Sequence, residues 1–380
     1  MVDNQEIELK NVDYVPSELD DFYSDESLYN INSWGADLSF RELIERYKEG
    51  SIIKPEIQRN YVWDKAEASR FIDSILLGLP VPSIFLAKPK INEEKLLIVD
   101  GYQRIMTVFD FVENGTFRKD GKSFSLTNSD KINKKWRGKT FKELNENQQY
   151  KIKGTTIHSI IFVQIKPQND TSFYQIFERI NTSGRTLQPQ EIRNCIYQGD
   201  FNSQLIILNE NEKWRKLFGN EEIDPRMRDI EFILRFFAIS SKNWATEGEG
   251  TISLKKFLNE FMGSNESKSQ AILEQREKQF DETIDFIYQK FGENAFQNLS
   301  AKGEYTNKFN PTIFDSIMIS TEIALQKLGK VEDNDLPNKR YELLQNPIYQ
   351  DLIRVRTTNK ERIAKRISLS LETLYGLKYE

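Results

Sequence analysis

The chain contains one histidine and one cysteine in 380 residues. Zinc sites draw their ligands from several histidines and cysteines, so His158 and Cys195 alone build neither a zinc finger nor a His-metal nuclease centre. Cys195 has no second cysteine for an internal disulfide, which points to a reducing, cytoplasmic setting. No apolar run approaches the ~20 residues of a membrane span, and the mixed acidic start has no apolar signal-peptide core. The expectation is a cytoplasmic protein with no membrane partner. His158 sits in a strand-like run, residues 155–165, and reads as a core or sheet-edge side chain.

Charge is unevenly placed. Residues 1–30 hold nine of the 58 acidic residues and one of the 53 basic ones, so the rest of the chain carries a slight basic excess. This lead reads as a mobile arm or a peripheral strand. The length leads us to expect more than one domain. Residues 36–168 alternate short strands with helices, whereas residues 169–380 show helical spacing and no competing strand period. The expected organisation is an acidic arm over 1–35, an α+β domain over 36–168 and a helical domain over 169–380.

The densest signal lies at residues 96–112. Leu96, Leu97, Ile98 and Val99 read as a buried strand, followed by a polar turn, and Ile105, Val108, Phe109 and Val112 then recur at helical spacing. A glycine between strand and helix lets a ligand approach the backbone, and the helix start offers free N–H groups with positive dipole character. Two readings of Asp100, Gly101, Tyr102, Gln103 and Arg104 stand side by side. In one, backbone N–H groups and Arg104 hold phosphate while Asp100 positions a metal ion or a water. In the other, Asp100 caps the helix and Arg104 makes a structural ion pair.

Three further clusters carry the same ambiguity. Gln58, Arg59, Tyr61 and Trp63 suit a nucleotide surface, or else the rings plug into the core. Asn181, Thr182, Ser183, Gly184 and Arg185 suggest a tight turn with exposed N–H groups, and Gln190, Arg193 and Asn194 can share the next helix face; a structural helix–turn–helix is the alternative. Lys131, Lys134, Lys135, Trp136, Arg137, Lys139 and Lys142 could meet a phosphate backbone, or form a solvated loop. Arg354, Arg356, Lys360, Arg362, Lys365 and Arg366 form a weaker second basic region.

Three of these motifs, in this order, resemble the GmrS-type N-terminal domain of the GmrSD restriction endonucleases of modified DNA. They are Pro55-Glu56-Ile57-Gln58-Arg59-Asn60-Tyr61-Val62-Trp63, then Ile98-Val99-Asp100-Gly101-Tyr102-Gln103-Arg104, then Phe177-Glu178-Arg179-Ile180-Asn181-Thr182-Ser183-Gly184. Leu187, Glu191, Ile192, Arg193 and Asn194 follow in step, and the likeness extends over about residues 35–240. The resemblance implies a ParB/sulfiredoxin-like α+β domain followed by helices. It also implies nucleoside triphosphate and Mg2+ as cofactors, with the family's Asp-Gly-Gln-Gln-Arg motif serving nucleotide binding and hydrolysis.

By position, Asp100, Gln103 and Arg104 inherit the catalytic role, with Asp100 toward the metal. Gln58, Arg59, Tyr61, Gly101, Tyr102, Asn181 and Thr182 would line the nucleotide, and Lys131, Lys134, Lys135, Trp136, Arg137 and Lys139 would contact nucleic acid. Two departures matter. Tyr102 replaces the usual first Gln, which removes an amide that could orient water or phosphate and adds a ring that could stack. The His-metal nuclease half is missing, so the chain reads as a stand-alone form.

The leading expectation is an NTP phosphohydrolase that senses or acts on DNA in restriction and phage defence, with DNA and a separate nuclease or defence protein as partners. Homo-oligomerisation is compatible with it. A non-catalytic nucleotide or DNA sensor and a metal-dependent ParB-like nickase are the alternatives.

Overall fold

The computed structural model describes residues 12–13, 30–54, 61–88, 94–166, 176, 178, 180, 188–197, 199–224, 226–242, 250–265 and 269–379. The chain divides into two compact units, Asp25–Leu187 with Asn194–Ile196, and Met1–Ser24 with Gln188–Arg193 and Tyr197–Glu380. The first mixes strands and helices and the second is mostly helical, so the chain is α+β. No described helix is long and apolar enough to cross a membrane.

In the α+β unit a five-stranded sheet runs in the order β1-β5-β3-β4-β2. Its strands are β1 (Asn30–Ser39), β2 (Ile52–Ile53), β3 (Ile84–Lys88), β4 (Leu96–Asp100) and β5 (Thr156–Lys166). β1 pairs antiparallel with β5 and β3 antiparallel with β4, whereas β3–β5 and β2–β4 are parallel. Three consecutive residues of β4, Leu97, Ile98 and Val99, are buried, the mark of a strand covered on both faces. β1 begins inside the stretch read as an acidic arm. It forms because Trp34, Gly35, Ala36 and Leu38 match β5 in register from Trp34↔Ile161 to Leu38↔Ile157.

Helix α1 (Phe40–Lys48) starts at Ser39, whose side chain accepts from the Glu42 N–H. Helix α2 (Lys65–Leu77) starts with a full capping box between Asp64 and Glu67 and ends at Gly78 in the left-handed conformation. These helices pack Phe40, Leu43, Ile44, Phe71, Ile72 and Ile75 onto Ile84, Leu86 and Ile98 of the sheet. Full burial of such side chains contributes about 1.5–3 kcal/mol each. Leu79 continues the apolar spacing of α2 but lies beyond the Gly78 cap and is 52% exposed. After the helix Tyr102–Phe109 the chain doubles back through one bridge, Thr116 with Ser123, around a turn with Gly121 at φ +67.

In the helical unit the longest helices are Gln270–Phe291 and Pro311–Leu328. One expectation is corrected: a two-stranded antiparallel sheet, β6 (Gln297–Leu299) with β7 (Tyr305–Phe309), interrupts the helices. β6 is too short to show a strand period. Phe309 at the end of β7 is buried among Phe232, Phe296, Phe314 and Trp214. Val12 bridges to Phe309, and Asp13 donates its N–H to the Phe309 carbonyl at 2.8 Å. The described piece of the acidic lead, Val12 and Asp13, thus meets the end of β7 through one isolated bridge.

Candidate functional site

β4 delivers Asp100 to the start of α3 (Tyr102–Phe109), with Gly101 as the N-cap at φ 100. Only glycine serves here. A Cβ at position 101 would lie 2.2 Å from Ile84 Cγ2, and the positive φ disfavours any L side chain. Gly101 also brings no side-chain cap to α3, so the positive end of the helix dipole has no internal acceptor from that residue.

Arg104 reaches back across this turn. Its Nη1 donates to the Ser83 carbonyl at 2.9 Å, and Nη1 and Nη2 lie 3.3 and 3.2 Å from Asp100 Oδ2. The Asp100 side chain is 35% exposed and that of Arg104 18%. Arg104 is thus engaged within the fold, while Asp100 keeps one oxygen outside these two contacts.

Gln103 points to the other side. Its Oε1 accepts from the backbone N–H groups of Val62 and Trp63 at 3.1 and 3.4 Å, fixing the segment that enters α2. Lys119 Nζ donates to the Val62 carbonyl at 2.9 Å. Tyr61 is buried, its hydroxyl 2.6 Å from Thr107 Oγ1, its ring edge-on to Phe117, and burial pushes its pKa up to about 12. Trp63 packs edge-on to Phe71. The rings of this motif face the core.

Tyr102 is buried as well, so its ring is a wall of the site rather than an open stacking platform. Its hydroxyl accepts from Arg118 Nη1 at 3.0 Å, and Lys54 Nζ stands 5.0 Å from its ring centroid. Arg118 grips Asp110 through Nε–Oδ2 at 2.6 Å and Nη2–Oδ1 at 2.7 Å. Burial opposes the Arg118 charge, but the hydrogen bonds and charge of Asp110 outweigh it and raise the guanidinium pKa above its ordinary value. Burial raises the Tyr102 hydroxyl. Burial and then Arg118 lower the Lys54 amine. Sequence reasoning missed Lys54, Asp110 and Arg118. Asp110 and Arg118 have no motif spacing, and Lys54 is a single lysine before a proline.

The basic stretch sorts by direction. Lys131, Lys134 and Lys135 are exposed and Lys139 is half-buried. Trp136 turns inward, 6% exposed, with Nε1 donating to Asp73 Oδ1 at 2.7 Å. Arg137 donates to the Ile132 carbonyl and to Asp130. The contacts of these two side chains are made within the α+β unit's own fold. In the helical unit, Gln190 and Arg193 are buried, Arg193 Nε donating to Asn259 Oδ1 at 2.8 Å and Nη1 to Gln190 Oε1 at 3.1 Å. Arg366 is likewise buried on Asp315. Gln58, Arg59, Asn181, Thr182, Ser183, Gly184 and Arg185 lie outside the described residues.

Among the described residues, no three His, Cys, Asp or Glu side chains converge as a metal cage. Asp100 alone fits the mode in which Mg2+ takes one or two carboxylates and completes its shell with substrate phosphates and water.

Residues 40–198 match the model of the GmrSD restriction endonuclease N-terminal domain. This segment belongs to that family. No curated protein and no solved structure matches the chain. The turn from Asp100 to Arg104 therefore lies inside a GmrSD N-terminal domain, as do Lys54, Asp110 and Arg118.

Proposed function

We propose that this chain binds and hydrolyses a nucleoside triphosphate at the turn between β4 and α3, and that this activity serves restriction of DNA in defence against phage. The observation that carries the reading is the uncapped α3 start behind Gly101, flanked by Asp100 and Arg104, within a GmrSD N-terminal domain. Helix N-termini behind a glycine turn suit phosphate oxygens. Bound Mg2+ would neutralise phosphate charge and polarise the phosphorus–oxygen bond. Asp100 would hold that ion or orient the attacking water, and Arg104 would keep the carboxylate aimed while facing the phosphates. Gln103 would act by fixing residues 62–63 beside the site.

The DNA connection rests on the family, which is named for restriction endonucleases. Lys131, Lys134, Lys135 and Lys139 are the contacts we assign to a phosphate backbone. Cleavage would fall either to this domain's own residues or to a nuclease partner.

A second reading is a nucleotide sensor that binds without turnover. It is favoured by the two positions where the family motif carries amides: Tyr102 offers none, and the Gln103 amide oxygen is engaged by Val62 and Trp63. Phosphate release measured across a panel of nucleotides with Mg2+, on wild type, Arg104→Ala and Tyr102→Gln, separates the two. Wild-type turnover lost in Arg104→Ala supports the hydrolase. Binding without turnover, with turnover gained in Tyr102→Gln, supports the sensor. Plasmid nicking by the purified protein without nucleotide would contradict both.

A further inference from the structure

Lys54 occupies a costly position. It leaves the C-terminal end of β2, whose Ile52 and Ile53 pair in parallel with Leu96 and Leu97 of β4, the strand that ends at Asp100. Its amine is half-buried against the Tyr102 ring and near the Arg118 guanidinium, and no carboxylate among the described residues pairs with it. Arg118 spends its charge on the buried carboxylate of Asp110, and Arg104 spends part of its own on Asp100. Among the described residues Lys54 is thus a half-buried cation against the ring of Tyr102 with no carboxylate partner, and Cys195 is the nearby group that favours its charge. Such an arrangement is unfavourable in isolation and becomes favourable when an anion arrives.

We infer that Lys54 is the ammonium that meets the polyphosphate of the ligand, held in place by the ring of Tyr102, which Arg118 fixes through its hydroxyl. This inference rests on the nucleotide reading and adds a binding residue to it. It also gives the Tyr102 departure a role: the ring that replaces an amide becomes the platform for a cation. The ligand class is a linear polyphosphate, alone or esterified to a nucleoside, because the α3 N-terminus and Lys54 offer separate points for anionic oxygens, linked through Tyr102. Burial and Arg118 depress the Lys54 amine, so anion binding would shift it back up and take up a proton at high pH.

The test titrates the full chain with inorganic tripolyphosphate and, separately, with a panel of nucleoside triphosphates, in wild type, Lys54→Met and Lys54→Arg. Lys54→Met keeps most of the apolar stem and removes the charge. We expect tripolyphosphate affinity to fall about 10- to 100-fold in Lys54→Met, the worth of one charge-assisted contact, and to be largely retained in Lys54→Arg. Amine acylation read by mass spectrometry tests the native protein without substitution: Lys54 should react readily and be protected by tripolyphosphate. Equal binding by wild type and Lys54→Met, or acylation unaffected by tripolyphosphate, overturns the inference while leaving the nucleotide reading intact. Absence of all polyphosphate and nucleotide binding in wild type overturns both.

Discussion

The Arg118 guanidinium and the Asp110 carboxylate form a two-point ion pair, 2.6 and 2.7 Å long, in which Asp110 has no solvent exposure. Asp110 also accepts from Asn114 at 2.8 Å. The pair closes the wall behind Tyr102 and joins α3 to the loop that follows it.

Removal of the arginine alone should be severe. Arg118→Met leaves a buried carboxylate without its cation, and we expect a loss of about 3–5 kcal/mol in unfolding free energy. Urea denaturation checks this. A loss under about 1 kcal/mol, the range of an exposed pair, would show that the pair is not what holds Asp110.

Gly101→Ala combines positive-φ strain with a collision against Ile84. Overpacking of this kind costs about 1–3 kcal/mol, with backbone strain in addition. The double variant with Ile84→Ala should relieve the closer clash with Cγ2 but neither the remaining one with the Ile84 Cβ, at 2.8 Å, nor the strain, giving an interaction energy that a double-mutant cycle resolves. Strict additivity would contradict the geometry.

Gln103 accepts two backbone N–H groups and donates none of the described contacts to Val62 or Trp63. Gln103→Glu retains an acceptor oxygen, whereas Gln103→Ala leaves both N–H groups without it, at about 1–3 kcal/mol. Trp fluorescence and thermal melting should therefore place Gln103→Glu near wild type and Gln103→Ala well below it. Two variants equally impaired would point to a different role.

In the helical unit, burial raises the pKa of Glu322 to about 7, although Gln279 and Gln326 donate to its carboxylate. An acid raised on folding favours the folded state when protonated. Its contribution is full below the ordinary carboxylate pKa and declines as pH rises from there through about 7. The difference amounts to about 3 kcal/mol from the shift alone. Glu322→Gln should raise the melting temperature at pH 8 and change it little at pH 4.5. An equal effect at both pH values would contradict the assignment.

Local chemistry in the sequence spoke clearly for some elements. The apolar run of β4 and the glycine before α3 each act over a few residues and appear as read, and the capping box from Asp64 to Glu67 is equally local. Long-range pairing did not. β1 depends on β5, more than a hundred residues away, and β7 depends on burial of Phe309 among distant rings. For the site, residue types located the turn but not the direction of each side chain. Trp136, Tyr61 and Tyr102 have rings suited to bases, and packing against Asp73, Thr107 and Arg118 turned all three inward.

The central claim is that a triphosphate sits on the turn from Asp100 to Arg104. Hydrogen–deuterium exchange of the full chain, with and without each nucleoside triphosphate and Mg2+, tests it most directly. The account predicts slowed exchange at the amides of residues 101–104 with at least one nucleotide, abolished in Arg104→Ala. Nucleotide binding that protects other segments and leaves these amides unchanged would contradict it.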